Sequence, residues 1–179
     1  MKINVLGLGE SLKYYKPDGN ITIGVNDIHS RFNTDYVVCV DHPEAFTKER
    51  LEAIKQTDCK GFYSQIIYWS SWIPNFNLIE FNRGRGILDG LDSEKFCYSN
   101  SSPYVACILA YKLGAKKIVL FGVDFQTHEH FKSHAKDRAL NDFKSLSIEL
   151  KKRGVELLIG NQFSALSKVL KLDVDSESK

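Results

Sequence analysis

The feature that most constrains the fold of this chain is the alternation of short, continuous apolar runs with helical segments. The runs at 2–8 and 117–123 are the clearest, and each is apolar at nearly every position. Unbroken apolar runs of this length are typical of strands that are buried on both faces of a parallel sheet. Because strands that alternate with helices form such sheets, the order predicts an α/β protein with a mainly parallel sheet.

The spacing of apolar residues and turn residues predicts the elements one by one. Strands are predicted at 2–8, 21–25, 35–40, 117–123 and 155–159, and helices at 43–56, 101–114 and 135–153. Short helices are predicted after Gly9 and at 164–172. The middle of the chain is less regular, with one or two strands at 61–72, a short strand at 78–81 and a long loop at 83–100. We expect a single domain over residues 1–172 and a charged, frayed tail over 173–179.

Composition excludes several classes of protein. Hydrophobic residues make up 43% of the 179 residues, which is enough to bury a core. The 24 basic and 22 acidic residues are too balanced for a protein that coats nucleic acid. No apolar run approaches the roughly 20 residues of a membrane-spanning helix, and the first residues lack a signal-peptide pattern. We therefore expect a cytoplasmic protein, with four cysteines that are buried free thiols because no Cys-x-x-Cys pair occurs.

Polar residues follow the apolar runs at five places. In open parallel sheets, ligands bind beyond the carboxyl ends of the strands, so these places are candidates for a site. They are 7–11, 26–27, 41–42, 124–125 and 160–161. The first of them, Gly7-Leu8-Gly9-Glu10-Ser11, has two interpretations: its amides face an anionic phosphate, or its glycines serve a tight strand–helix turn.

Other candidate residues also have two interpretations. Asn26, Asp27 and Asp124 are able to hydrogen-bond a ribose or a base edge, or to act as turn and cap residues. His134 precedes the long helix and is a candidate general base, whereas His128 and His130 fit an exposed polar loop. The aromatic stretch 63–72 fits a core, a base-stacking surface or a face on which another subunit packs.

Several of these motifs, in this order, resemble those of glycosyltransferase family 42, the bacterial sialyltransferases. They also resemble those of related Rossmann-like proteins that include archaeal 6-hydroxymethylpterin diphosphokinases. The motifs that carry the resemblance are Gly7-x-Gly9-x-Ser11-Leu12, Asn26, Ser101-Ser102 at a helix start, Leu113-Gly114-Ala115-Lys116-Lys117-Ile118, Gly122-Val123-Asp124-Phe125 and His134.

The resemblance implies a Rossmann-like three-layer αβα sandwich that binds CMP or a CMP-activated sugar without a metal. It implies that Gly7, Gly9 and Ser11 cradle the donor nucleotide. Asn26 would meet its ribose or phosphate. The remaining implied roles are donor contacts for Ser101 and Ser102, a nucleotide contact for Asp124 and a general base at His134.

The chain departs from the family pattern at three places. Leu8 stands between the glycines where the family has Asn, and Pro103 follows the serine pair where the family has glycine. Only eight residues separate Phe125 from His134, where the family carries a longer insertion with tyrosines and a lid. The sequence therefore predicts a nucleotide- or nucleotide-sugar-binding protein, which in catalytic form would be a minimal sialyltransferase-like glycosyltransferase.

Two alternatives stay open at this point. One is a Mg²⁺-dependent, diphosphokinase-like enzyme with Asp27, Asp41 and Asp124 as candidate ligands. The other is a non-catalytic module that binds a nucleotide or a partner.

Overall fold

The structure is a computed structural model that describes residues 1–86, 88–125 and 133–174. The chain divides into two compact units. Unit 1 comprises Met1–Asn20 and Ala110–Lys179, and unit 2 comprises Ile21–Leu109.

The described residues form ten strands and three α-helices. The strands are β1 (Lys2–Leu6), β2 (Ile21–Val25), β3 (Tyr36–Val38), β4 (Gly61–Ser64), β5 (Phe76–Leu78), β6 (Phe81–Arg85), β7 (Phe96–Tyr98), β8 (Lys117–Phe121), β9 (Glu156–Ile159) and β10 (Lys171–Leu172). The helices are α1 (Lys48–Lys55), α2 (Ser102–Lys112) and α3 (Ser133–Lys152). Short 3-10 helices lie at Glu10–Tyr14, Ile28–Ser30, Pro43–Ala45, Ile67–Ser71 and Ala165–Lys168.

In unit 1 the strands follow the order β10-β9-β8-β1, and every pair is parallel. The last four residues of both β1 and β8 are buried, as expected for strands of a parallel sheet that is covered on both faces. Helix α3 packs on β9 and connects β8 to it, which makes a β–α–β unit.

In unit 2 the strands follow the order β2-β3-β4-β5, again parallel throughout, and β6 and β7 form a separate parallel pair. A parallel pair needs a crossover connection. The connections between β2, β3, β4 and β5 each contain a 3-10 helix, and the one from β3 to β4 also contains α1. The α/β Rossmann-like class with a mainly parallel sheet, predicted from the sequence, is confirmed.

All four cysteines are buried free thiols, as predicted. Burial raises the pKa of the Cys39 and Cys107 thiols far above the ordinary value, so both remain protonated and unreactive.

Several predicted elements differ in extent from the observed ones. The helix predicted at 43–56 is two pieces, because Pro43 begins a 3-10 turn and the Thr47 hydroxyl caps a new helix by accepting from the Arg50 amide at 3.4 Å. The long loop predicted at 83–100 contains part of β6 and all of β7. The run at 155–159 is not the last strand, since β10 follows it.

Asp173, the first residue of the predicted tail, is 1% exposed. Its Oδ1 lies 3.1 Å from Lys117 Nζ and its Oδ2 lies 3.2 Å from Lys2 Nζ. Its amide donates to the Ile159 carbonyl at 2.8 Å. Asp173 thus joins the segment after β10 to the starts of β1 and β8.

The rest of the predicted tail, 175–179, and His128 and His130 lie outside the described residues. Within the described ranges, no helix is both long enough and apolar enough to cross a bilayer.

Candidate functional site

The candidate residues of unit 1 form a first cluster around the turn that follows β1. Gly7 N donates to Phe121 O at 2.7 Å, and Gly9 N donates to Gly122 O at 2.7 Å. The Asp124 carboxylate accepts from Ser11 N at 2.8 Å through Oδ2, and its Oδ1 bonds the Ser11 hydroxyl. In the first cluster, Gly7, Gly9, Ser11 and Asp124, the three amides named here and the carboxylate are therefore all bonded to other protein groups.

Both glycines of the first cluster are required by close packing. A Cβ on Gly7 would lie 2.9 Å from Val123 Cγ2 and still closer to the Gly122 carbonyl oxygen. A Cβ on Gly9 would lie 2.6 Å from Asp124 Cγ. Because the amides of Gly7, Gly9 and Ser11 already have protein acceptors, these contacts favour the strand–turn interpretation of the glycine motif over a phosphate cradle.

The candidate residues of unit 2 form a second cluster, Asn26, Ser101 and Ser102, at the carboxyl ends of β2 and β3. Ser102 is buried at the start of α2, and its hydroxyl donates to Asn26 Oδ1 at 3.1 Å and accepts from Val40 N at 3.2 Å. These bonds join the end of β2, the end of β3 and the start of α2. Asn26 and Ser102, which were predicted separately as nucleotide contacts, therefore touch each other, and their binding of a nucleotide stays a prediction.

Asn26 itself is held in an uncommon backbone conformation. Its φ is 52°, in the left-handed region that Asn tolerates better than most residues. Its amide donates to Val38 O at 3.1 Å, and its side-chain oxygen is engaged by Ser102. The side-chain Nδ2 has no protein acceptor in the part of the chain that the structure describes, so it is available to donate to a ligand.

Ser101 carries a second open hydrogen-bonding group. Its hydroxyl oxygen is buried and has no hydrogen-bond partner among the described residues. Its amide donates to Ser99 Oγ at 3.0 Å, and its carbonyl accepts from Val105 N. Ser101 stands at the cap position of α2 without using its hydroxyl as a cap, and an orphaned buried hydroxyl at a helix start is a natural partner for a ligand.

An arginine of α1 pairs with the aspartate that follows β2 and Asn26. Arg50 donates to Asp27 Oδ1 from Nε at 3.0 Å and from Nη2 at 2.6 Å, and its guanidinium lies over the Phe46 ring. Burial raises the pKa of the Asp41 carboxyl, although the charge of Arg50 opposes this shift. Arg50 is a residue that sequence reasoning missed. Its four-residue spacing from Ile54, which puts an arginine on the same face of α1 as a buried apolar residue, is the signal that would have found it.

Two of the three aspartates that are candidate Mg²⁺ ligands already bond other protein groups. Asp27 is paired with Arg50, and both oxygens of Asp124 bond Ser11. Within the described ranges, no three His, Cys, Asp or Glu side chains converge as a metal-binding group. Two of the three candidate Mg²⁺ ligands, Asp27 and Asp124, are therefore already bonded to other protein groups.

His134 lies in the first turn of α3 in unit 1 and is exposed. It has no hydrogen-bond partner among the residues that the structure describes. Its assignment as a general base stays a prediction from the sequence.

The raised pKa of Asp41 predicts a pH-dependent effect of the variant Asp41→Asn. A folded-state pKa above the unfolded one means that Asp41 favours folding when it is protonated, and that this contribution is lost as the pH rises through the folded-state pKa. The neutral amide removes the loss, so Asp41→Asn is expected to raise the unfolding temperature relative to wild type at neutral pH, and much less below pH 3.8. Thermal unfolding across this range checks it, with exposed Asp58→Asn as the control. A stability difference that does not change with pH would contradict the assignment.

Comparisons with known proteins bear on the fold. Neither a family model nor a curated protein matches the sequence. Among solved structures, the chain is similar to the sialyltransferase CstII from Campylobacter jejuni in complex with the substrate analogue CMP-3FNeuAc, with 16% identity, a TM-score of 0.63 and coverage of 99% of this chain and 87% of that one. It is also similar to CST-II in complex with a trisaccharide acceptor and CMP, with 16% identity, a TM-score of 0.61 and coverage of 100% and 89%.

A third similar structure is an α-2,3-sialyltransferase from Campylobacter jejuni in its apo form. It shares 16% identity with this chain at a TM-score of 0.62, over 99% of this chain and 82% of that one. The fold that the resemblance to family 42 implies is supported by these structures, whereas none of the three is a pterin diphosphokinase. The chain shares the fold of these sialyltransferases.

Proposed function

We propose that the chain binds CMP and a CMP-activated sugar and transfers that sugar to a saccharide hydroxyl. The fold is shared with sialyltransferases that have been crystallised with CMP, with a CMP-sugar analogue and with a trisaccharide acceptor. The second cluster supports the proposal from this chain's own residues, because it offers unused hydrogen-bonding groups at the place where parallel sheets bind ligands.

The observation that carries the proposal is the pair of open groups on Asn26 and Ser101. The Asn26 Nδ2 is free to donate, and the Ser101 hydroxyl is able both to donate and to accept. A buried hydroxyl without a partner costs about 1–3 kcal/mol, so its retention favours a ligand that satisfies it. A nucleotide phosphate or ribose meets both groups, since phosphate oxygens accept and ribose hydroxyls do both.

The two clusters have different proposed roles. Asn26, Ser101 and Ser102 contact the nucleotide directly, with Ser102 orienting the Asn26 side chain. Gly7, Gly9, Ser11 and Asp124, whose donors and acceptors are engaged with each other or with the backbone of Phe121 and Gly122, act indirectly by fixing the turn after β1.

For the transfer step, we assign the proton acceptor to His134. The acceptor hydroxyl oxygen forms a bond to the anomeric carbon of the sugar, the bond from that carbon to the phosphate oxygen breaks, and CMP leaves with the bonding electrons. The hydroxyl proton passes to the His134 imidazole, which is exposed at the start of α3.

The test of this function is nucleotide binding by the full chain and by Asn26→Gly. Glycine tolerates the positive φ of Asn26, so the variant removes the side chain without backbone strain. We expect CMP to bind wild type, and Asn26→Gly to weaken it by about tenfold or more, since a lost hydrogen bond to a charged phosphate is worth about 1.5–3 kcal/mol. Isothermal titration calorimetry measures both affinities, with and without Mg²⁺.

The exposed residue Asn33, changed to glycine, is the matched control and should leave CMP affinity unchanged. Preference for ATP or GTP over CMP, or equal affinity of wild type and Asn26→Gly, would contradict the proposal. CMP binding without sugar transfer to any saccharide would identify a nucleotide-binding module in place of a transferase.

A further inference from the structure

Unit 2 contains an open groove that the nucleotide assignment does not use. It has a volume of about 720 Å³ and is lined by His42, Pro43, Glu44, Phe46, Lys48, Leu51, Tyr68 and Trp72. Small-molecule sites commonly measure roughly 300–1,000 Å³. The groove, named here the aromatic groove, is therefore large enough for a ligand of one or more rings.

Two aromatic side chains of the groove are exposed, whereas a core role was one of the interpretations of this stretch. Trp69 is 0% exposed and confirms the core interpretation at its own position. In contrast, Tyr68 is 62% and Trp72 is 42% exposed. Large aromatic rings left in solvent at a concave surface commonly mark a binding site.

The exposed rings are held in place by neighbouring side chains. Tyr68 meets His42 edge to face, with ring centroids 5.2 Å apart. Trp72 meets the buried Trp69 edge to face at 6.0 Å, and the Lys55 ammonium lies 4.5 Å from the Trp72 ring centroid. Rings that are fixed before binding lose little conformational entropy when a ligand stacks on them.

The polar groups of the aromatic groove indicate the chemistry of its ligand. Glu44 supplies a hydrogen-bond acceptor, Lys48 supplies a donor, and His42 supplies either. The opposite charges of Glu44 and Lys48 offset each other, which does not favour a phosphate. Groups of both kinds beside aromatic faces match a sugar, whose hydroxyls donate and accept and whose ring carbons present an apolar C–H face.

The groove also lies beside the second cluster along the chain. Val40, whose amide bonds Ser102, is two residues before His42 at the groove. Trp69, which supports Trp72, donates its indole N–H to the Asp41 carbonyl at 3.1 Å. One short segment after β3 therefore connects the proposed nucleotide-binding residues to the aromatic groove.

We propose that the aromatic groove binds a sugar ring of the saccharide acceptor, which stacks on Trp72 and Tyr68 and hydrogen-bonds His42, Glu44 and Lys48. This inference rests on the proposed transferase function, because it names the place of that reaction's acceptor. It makes Trp72 and Tyr68 specificity-determining residues that select a ring with an exposed apolar face.

The test uses the intrinsic fluorescence of the full chain. The protein has two tryptophans, and only Trp72 is exposed. Titration with neutral disaccharides, namely lactose, maltose and cellobiose, is expected to change the emission of wild type with at least one of them at millimolar concentrations. The signal is expected to vanish in Trp72→Phe, which keeps an aromatic ring and retains Trp69 as the remaining fluorophore.

Affinity for the same disaccharide is then measured by saturation-transfer NMR in two further variants. Tyr68→Ala and Trp72→Ala are expected to bind about tenfold more weakly, which corresponds to the loss of one aromatic stacking contact. Ile67→Ala is the matched control, because Ile67 is 56% exposed in the same 3-10 helix but does not line the groove. Circular dichroism checks that each variant is folded.

The outcomes separate this inference from the proposed function. Saccharide binding that CMP does not displace, with losses in Tyr68→Ala and Trp72→Ala alone, supports the acceptor site. CMP binding together with no saccharide response, or with equal losses in Ile67→Ala, overturns the acceptor site while leaving nucleotide binding intact. CMP that itself quenches Trp72 and competes with the saccharide would make the groove a nucleotide site and overturn the proposal.

Discussion

Replacing Gly7 with alanine is expected to lower the free energy of unfolding by about 3 kcal/mol or more, toward the upper end of the cost of overpacking. The added Cβ would lie 2.9 Å from both Gly122 C and Val123 Cγ2, and closer still to the Gly122 oxygen. The Gly122 backbone cannot easily move away from the added Cβ, because Gly7 N and Gly9 N donate to the Phe121 and Gly122 carbonyls. Urea unfolding followed by circular dichroism measures the loss.

Gly19→Ala is the matched control for this experiment. A Cβ on Gly19 would meet nothing within 4 Å, and only its φ of +76° opposes the substitution. A left-handed backbone costs an alanine about 1–2 kcal/mol, so Gly19→Ala should be clearly milder. Equal losses in the two variants would show that close packing of the turn after β1 is not what requires Gly7.

The second large effect is expected in catalysis. If His134 accepts the proton of the acceptor hydroxyl, His134→Ala should lower kcat for sugar transfer by about 10²–10⁴-fold, the usual contribution of a general base. CMP affinity should stay within about twofold, because the proposed nucleotide contacts are on other residues. Transfer from a CMP-sugar to a saccharide, measured by release of CMP, gives kcat and KM for each variant.

His29→Ala is the control for loss of an imidazole, since the proposed mechanism gives His29 no role. Partial rescue of His134→Ala by added imidazole would support a proton-transfer role over a structural one. Wild-type turnover in His134→Ala would remove this residue from the mechanism and direct the search for a base elsewhere.

The sequence was most informative where apolar residues are continuous. Strands β1, β2 and β8 were predicted within two residues of their observed ends, because strands buried on both faces cannot contain many polar residues. Strands β5, β6 and β7 were not delimited, since β5 and β7 have only three residues each and β6 contains Asn, Arg and Gly. Their pairing is decided by contacts distant in sequence, which local propensity does not encode.

The candidate site was likewise predictable from the sequence only in part. The rule that ligands bind beyond strand ends led to Asn26, and the family resemblance led to Ser102, although neither indicated the bond between them. The same rule could not tell whether the turn after β1 contacts a ligand. That depends on which amides of the turn already have protein acceptors, and those of Gly9 and Ser11 do. The sequence pattern also could not predict that Trp72 is exposed while Trp69 is buried, because both residues are aromatic and lie close together in the chain.

The discontinuity of unit 1 has a consequence for how the chain is made. Lys2 in β1 pairs with Lys117 in β8, and Asp173 closes on both, whereas all of unit 2 is encoded between them. At a synthesis rate of about 5–20 residues per second, the apolar β1 segment spends several seconds outside the ribosome before its β8 partner appears. During that interval the β1 segment lacks the β8 strand with which it pairs, so its apolar side chains are exposed and prone to aggregation.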